Sequence, residues 1–304
     1  MKFPRLRGLA AARAPLPLAV IAMWLLASCG VNRRTTIVVG SKNFTEQAIL
    51  GEILAQQIET HTHLQVMRRF YLTGSYICQQ AILAGRIDVY VEYTGTALTA
   101  ILKDPLERDP RAVFAKVRDQ YAGRFGLTVL PSLGFDNTFA IVVRGEDARA
   151  LHLTTISDLS RIAPRWRAGF GYEFKERPDG YEGLARAYGL QFAAPPRIMD
   201  LGLLYRALLD KQVDVVAGNA TDGLLEARDL AVLADDKHYF PPYEAVPVLG
   251  RAVMQQHPEV AAAIAQLEGK ISDDDMRKMN YAVDGRHEDP SVVVKQFLTA
   301  RGLE

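Results

Sequence analysis

Ile37-Val38-Val39-Gly40-Ser41-Lys42-Asn43-Phe44-Thr45-Glu46-Gln47 reads as a short apolar strand that runs through a polar turn into the start of an amphipathic helix. A strand that ends at a helix N-terminus leaves backbone N–H groups and the positive end of the helix dipole facing whatever lies in front of them. Lys42 adds a full charge there, so the turn is a seat for a carboxylate. About fifty residues later Tyr93-Thr94-Gly95-Thr96 closes a second strand with a ring and hydroxyls. An anion seat and a cation seat in comparable places point to a small zwitterion as ligand.

The pattern continues outward from that stretch as alternating helix and strand. A helix is expected over residues 45–59, a strand over 64–71, a helix over 75–84 and a strand over 87–91. Further strands fall at 139–143, 168–170, 213–217 and 230–233, and the tail from Pro258 reads as several helices. This grammar predicts an α/β fold with predominantly parallel sheets covered by helices on both faces. One echo suggests two lobes of like construction. Ile82-Leu83-Ala84-Gly85-Arg86-Ile87-Asp88-Val89 recurs as Leu208-Leu209-Asp210-Lys211-Gln212-Val213-Asp214-Val215, each a helix end, a tight turn and a buried strand. At the same offset Tyr93 falls opposite Asn219, both just beyond the carboxyl end of a strand, where open α/β sheets bind ligands.

The first residues form an export signal rather than part of the fold. Lys2, Arg5, Arg7 and Arg13 make a basic region, residues 18–27 are apolar, and Leu26-Ala27-Ser28-Cys29 resembles a bacterial lipobox. The expectation is a signal over 1–28, lipidation of Cys29, and a tether over 29–35. The alternative is an ordinary signal with an incidental cysteine. Removing 1–28 lowers Lys+Arg from 36 to 32 against 35 Asp+Glu, a net charge of −3, which argues against nucleic acid. Cys78 is then the one thiol besides the anchor, so no structural disulfide is expected, and its apolar surroundings make it a small buried hydrophobe.

The chain resembles the periplasmic substrate-binding proteins of osmoprotectant (glycine betaine, carnitine, choline) ABC transporters. Six segments carry the likeness in order: Gly40 to Gln47, Glu92-Tyr93-Thr94-Gly95-Thr96, Phe135-Asp136-Asn137-Thr138, Arg177-Pro178-Asp179-Gly180-Tyr181, Thr221-Asp222-Gly223 and Phe240-Pro241-Pro242-Tyr243-Glu244. The resemblance implies a type II periplasmic-binding-protein fold, with lobe I built from 36–135 plus 245–304, lobe II from 136–244, and a ligand cleft between them. It assigns Lys42, Tyr93, Thr96, Asn137, Phe139, Arg177, Asn219 and Tyr243 to that cleft. In the family, tyrosines box a quaternary ammonium and basic and hydroxyl groups take the carboxylate. Several rings suit a weakly hydrated trimethylammonium better than one carboxylate does. Arg177 can grip a carboxylate bidentately, whereas Lys42 acts as a point charge. Here Phe139 stands where a tyrosine is usual, Asn219 replaces an aromatic, and Asn137 is neutral where some members carry an acid, so Tyr172 or Tyr239 is a candidate to complete the cage.

Catalytic and metal-binding patterns are wanting. His61 and His63 have no neighbouring ligands at a zinc spacing, Asp88 and Asp214 occupy equivalent strands as structural hydrogen-bonding groups, and no nucleotide loop or nucleophile elbow occurs. The Asp273-Asp274-Asp275 run marks a helix start. The reading is therefore a monomeric, non-enzymatic, cofactor-free binding protein, lipid-anchored on the periplasmic or cell-surface face of a bacterial membrane, serving an ABC permease with a separate ATPase. The alternatives are a binding protein for another small zwitterion or amino-acid-like solute, a sensory or chaperone-like lipoprotein without a transport role, and a secreted hydrolase or lyase, which alone would form product.

Overall fold

Strand β1 (Thr36–Lys42) is buried from Ile37 onward, as its β-branched run requires, and two neighbours flank it in parallel. The computed structural model describes residues 35–303, so the export segment and Cys29 lie outside the described residues. Around β1 a five-stranded sheet forms in the order β2-β1-β3-β10-β4, with β2 Gln65–Leu72, β3 Val89–Tyr93, β4 Thr128–Val129 and β10 Ala245–Leu249. A second five-stranded sheet runs β7-β6-β8-β5-β9, with β5 Phe139–Arg144, β6 Ala168–Phe170, β7 Arg197–Ile198, β8 Val215–Asn219 and β9 Leu230–Leu233.

The sheets are mixed, not predominantly parallel as expected. β1, β2 and β3 run parallel, but β10 is antiparallel to both β3 and β4. In the second sheet β6 is parallel to β7 and β8, while β5 is antiparallel to β8 and β9. β5 and β10 are the strands on which the chain enters the second sheet and re-enters the first. The two passing segments meet at an isolated antiparallel bridge, Asp136 with Glu244.

Helices cover both sheets. The helix Thr45–His61 is buried along most of its length, packed on β1, β2 and β3 and covered by the C-terminal helices Pro258–Ala265, Asp273–Asp284 and Pro290–Arg301. Asp273 opens its helix as expected, behind a capping box of Ser272 and Asp275. On β5, Ile141 and Val143 face one core while Ala140 and Val142 join a second with Leu204 and Leu208 from the helix Leu201–Leu209. Side chains that alternate between two buried faces explain why the strand is apolar throughout.

The internal echo is a structural repeat. Asp88 Oδ2 accepts from Val38 N at 2.8 Å, and Asp214 Oδ2 from Arg167 N at 2.9 Å. In both copies the residue three after the echo begins turns left-handed, Gly85 at φ 62 and Lys211 at φ 58. Cys78 is fully buried and free, and burial pushes its thiol up to about 12.

Candidate functional site

Several chain segments bring rings and charges to the gap between the sheets, Arg177 among them from the end of the helix Tyr172–Glu176. β1 delivers Lys42, the end of β3 delivers Tyr93 and then Thr96, and β5 begins at Phe139 beside the end of β8 at Asn219, with which it pairs directly. Asn137 and Tyr243 come from the two passing segments, where Asn137 N donates to the Tyr243 carbonyl at 3.1 Å. All eight residues that the sequence assigned to the cleft line one inner cavity of about 60 Å³, joined by Phe44, Glu173, Phe174, Leu201 and Ala217. That volume holds only a few water molecules, so it suits a compact headgroup. Two larger recesses share Phe44 and Leu201 with it as walls, one of about 290 Å³ and one of about 350 Å³.

Rings dominate the inner wall. Phe139 packs edge-on against Phe174 at 4.7 Å and Tyr243 at 5.4 Å between centroids, and Phe44 stacks on Tyr93 at 6.5 Å. Phe44 and Phe174 were not singled out in the sequence, although Phe44 stands inside the opening motif. Neither candidate for a missing cage wall lines the inner cavity. Tyr172 is 63 % exposed at the larger recess, and Tyr239 lies beneath the surface with its hydroxyl donating to Pro178 O at 3.2 Å.

The two cations are already paired. Lys42 Nζ donates to Glu92 Oε1 and lies 4.6 Å from the centroid of the Tyr93 ring. Arg177 Nε donates to Asp179 Oδ1 at 2.9 Å, its Nη2 to Asp179 Oδ2, and its Nη1 to Thr96 Oγ1 at 2.7 Å. The Tyr243 hydroxyl donates to the same Asp179 carboxylate at 2.5 Å. Burial works to raise Asp179, but the Arg177 guanidinium and the two sets of hydrogen bonds outweigh it and hold the carboxyl below its usual range. The guanidinium also lies 5.1 Å from the Phe139 centroid and 5.4 Å from that of Tyr243. The free anion seat expected from Lys42 and Arg177 is thus two buried ion pairs, whose carboxylates, Glu92 and Asp179, stand in the same motifs as the residues of the site.

Behind Tyr93 and Asn137 lies Glu46, 3 % exposed. Its Oε1 accepts from the Tyr93 hydroxyl at 2.6 Å and Asn137 Nδ2 at 2.8 Å, and its Oε2 from Thr221 Oγ1 and from Asn280 Nδ2 at 2.9 Å. Burial raises the carboxyl to about 7 against the pull of those hydrogen bonds. Asp222, which accepts from Tyr205 at 2.5 Å and from Asn219 N at 2.8 Å, is raised for the same reason. Among the described residues no group of three or more His, Cys, Asp and Glu is placed to hold a metal ion, and no helix is long and apolar enough to cross a membrane.

This architecture has known counterparts. A family model described as the substrate binding domain of ABC-type glycine betaine transport systems matches residues 35–300. The carnitine transport binding protein OpuCC of Listeria monocytogenes is 36 % identical over 282 residues, covering 90 % of this chain and 91 % of that protein. The glycine-betaine-binding protein of Pseudomonas aeruginosa is 35 % identical over 288 residues, covering 91 % and 92 %. A crystal structure of a glycine betaine/carnitine/choline ABC transporter superposes with a TM-score of 0.73 at 36 % identity, over 88 % of this chain and 99 % of that one. Two helix-covered sheets, a ring-lined cavity between them and a match over nearly the whole described chain agree: the chain belongs to the substrate-binding domain family of ABC-type glycine betaine transport systems.

Proposed function

We propose that the protein captures a small quaternary-ammonium solute in the inner cavity and hands it to an ABC permease driven by a separate ATPase. The observation that carries this reading is the clustering of Tyr93, Phe139, Phe174, Tyr243 and Phe44 around one small cavity. A trimethylammonium has no N–H to donate and loses little on leaving water, so ring faces can hold it at roughly 0.5–2 kcal/mol each. Lys42, Thr96, Asn137, Arg177 and Asn219 then orient the rest of the solute. Residues 36–135 with 245–304 form one lobe and 136–244 the other, a division supported by the Asp136–Glu244 bridge where the passing segments meet. Opening about that crossing would admit the ligand, as hinge closure does in binding proteins generally.

Export and lipid attachment at Cys29 would hold a monomer at the outer face of the membrane that carries the permease. Replacing Cys29 by Ser is expected to release the protein from the membrane fraction with ligand binding intact. The function itself is tested by a thermal-shift screen over glycine betaine, proline betaine, choline, carnitine, ectoine and ordinary amino acids. A ligand bound by the folded state alone raises stability by RT ln(1 + [L]/Kd), about 2.7 kcal/mol at a hundredfold excess over Kd. Shifts with quaternary amines and none with equal concentrations of amino acids are expected; no shift from any quaternary amine would sink the reading.

A further inference from the structure

We propose that Glu173 is the cation-selecting residue of the inner cavity, and that its carboxylate is set in place by a cap it makes across the cleft. Three ionisable side chains line the cavity beside the rings: Lys42, Arg177 and Glu173. Lys42 and Arg177 each face a buried carboxylate, Glu92 and Asp179, so their charges are compensated locally. Glu173 instead accepts from a neutral group, the backbone N–H of Ser75, at 2.9 Å. The wall of the cavity therefore has two neutral ion pairs and one carboxylate in excess. This conclusion rests on the proposed function.

The cap joins the two halves of the molecule. Ser75 opens the helix Ser75–Leu83 of the first sheet, whose N-cap Gly74 has no side chain to satisfy the first-turn N–H groups. Glu173 lies on the short helix Tyr172–Glu176 of the second sheet and supplies the missing acceptor from the far side. Gly74 leaves the room, since a Cβ there would stand 2.2 Å from Glu173 Oε1. The backbone of Gly74 is extended at φ −178, so another residue could adopt it, and the crowding falls on the mobile end of Glu173 rather than on backbone. Glu173 also lines the 350 Å³ recess, so it stands at the partition between recess and cavity. Forming the cap closes that partition and fixes a negative charge beside the rings. A cationic headgroup gains from that charge, whereas the carboxylate of a zwitterion does not.

Choline and glycine betaine titrated into the wild type, Glu173→Gln and Gly74→Ala, with dissociation rates, decide the matter. Glu173→Gln keeps an acceptor for Ser75 but removes the charge; it is expected to weaken choline at least tenfold and glycine betaine less than threefold. Gly74→Ala keeps the charge but displaces the cap and the carboxylate with it, and should speed dissociation of both ligands about tenfold, choline the more of the two, with association changed less than threefold. Equal losses for both ligands in Glu173→Gln, or none, would overturn the selectivity. Amide hydrogen exchange at Ser75 without ligand tests the cap separately: protection should persist in Glu173→Gln and fall in Gly74→Ala, and unchanged protection in Gly74→Ala overturns it. A wild type that binds neither amine defeats the functional reading and the selectivity together, and leaves the exchange result to decide the cap.

Discussion

Four donors converge on Glu46, yet burial still lifts its carboxyl from 4.5 to about 7. The folded protein therefore holds a proton between those values that the unfolded chain releases, so this group favours the fold most below pH 4.5 and loses its contribution as pH rises through about 7. The span corresponds to about 3 kcal/mol. Glu46→Gln is expected to unfold at a higher urea midpoint than the wild type at pH 8 and at a similar one at pH 4.5. Some slope should remain, because burial raises Asp136 to about 6 as well. A midpoint that falls at pH 8 would show that the ionised carboxylate is what the four donors need. At Arg177 the opposite holds, since its removal strands Asp179 in the interior. Arg177→Ala should cost about 3–5 kcal/mol of stability, and Asp179→Ala in the same chain should recover much of it. Additive losses in that double-mutant cycle would mean the pair is uncoupled. Six of the eight cavity-lining side chains were legible because each sits in a recognisable motif, and Phe139 and Asn219 because they stand one and two residues outside one. Glu46 stands in the opening motif, but its burial is not legible there: an acid in the first turn of a helix is normally solvated, and this one meets Thr221 and Asn280, which are remote in sequence.

The repeated helix–turn–strand element shows which local rules the sequence obeys. Both predicted strands, over 87–91 and 213–217, begin two residues later in the molecule, at Val89 and Val215. Just before them the Asp side chain caps a neighbouring segment, Asp88 accepting from Val38 N and Asp214 from Arg167 N, while the Asp backbone N–H donates to the carbonyl of the same residue. At the left-handed position Gly85 meets nothing within 4 Å of where a Cβ would lie, so Gly85→Ala tests conformation alone. It should cost about 1 kcal/mol, and Lys211→Gly at the equivalent turn should gain up to about 1 kcal/mol, because its exposed contact with Glu146 contributes little. Chemical denaturation of the two variants checks both signs. β10 escaped the sequence reading because Pro247 argues against a central strand. The proline is tolerated because its carbonyl faces Leu130 N beyond the short pairing with β4, which puts its missing N–H on that side rather than towards β3. β4 and β7, two residues each, carry too little pattern to be seen.

For the whole molecule, the two-lobe plan was readable from one eight-residue echo and the family resemblance, but the mixed sheets were not, since the strands that reverse direction are those the chain uses to pass between lobes. That topology predicts unequal autonomy. The segment 136–244 contains all five strands of its sheet, whereas 35–135 lacks β10, the strand between β3 and β4. Expressed alone, 136–244 should give dispersed amide resonances, and 35–135 should not until 245–303 is supplied in trans. A folded 35–135 fragment would refute this.

The place of β10 also orders events in time. A chain threaded outward through a membrane from its N-terminus delivers lobe II complete before the last strand of lobe I emerges. Helix Thr45–His61 waits longer still, because the helices that cover it, and Asn280 that completes the Glu46 cluster, arrive at the end. Its apolar surface is exposed meanwhile, so the early lobe is the one that would need a holding chaperone during secretion.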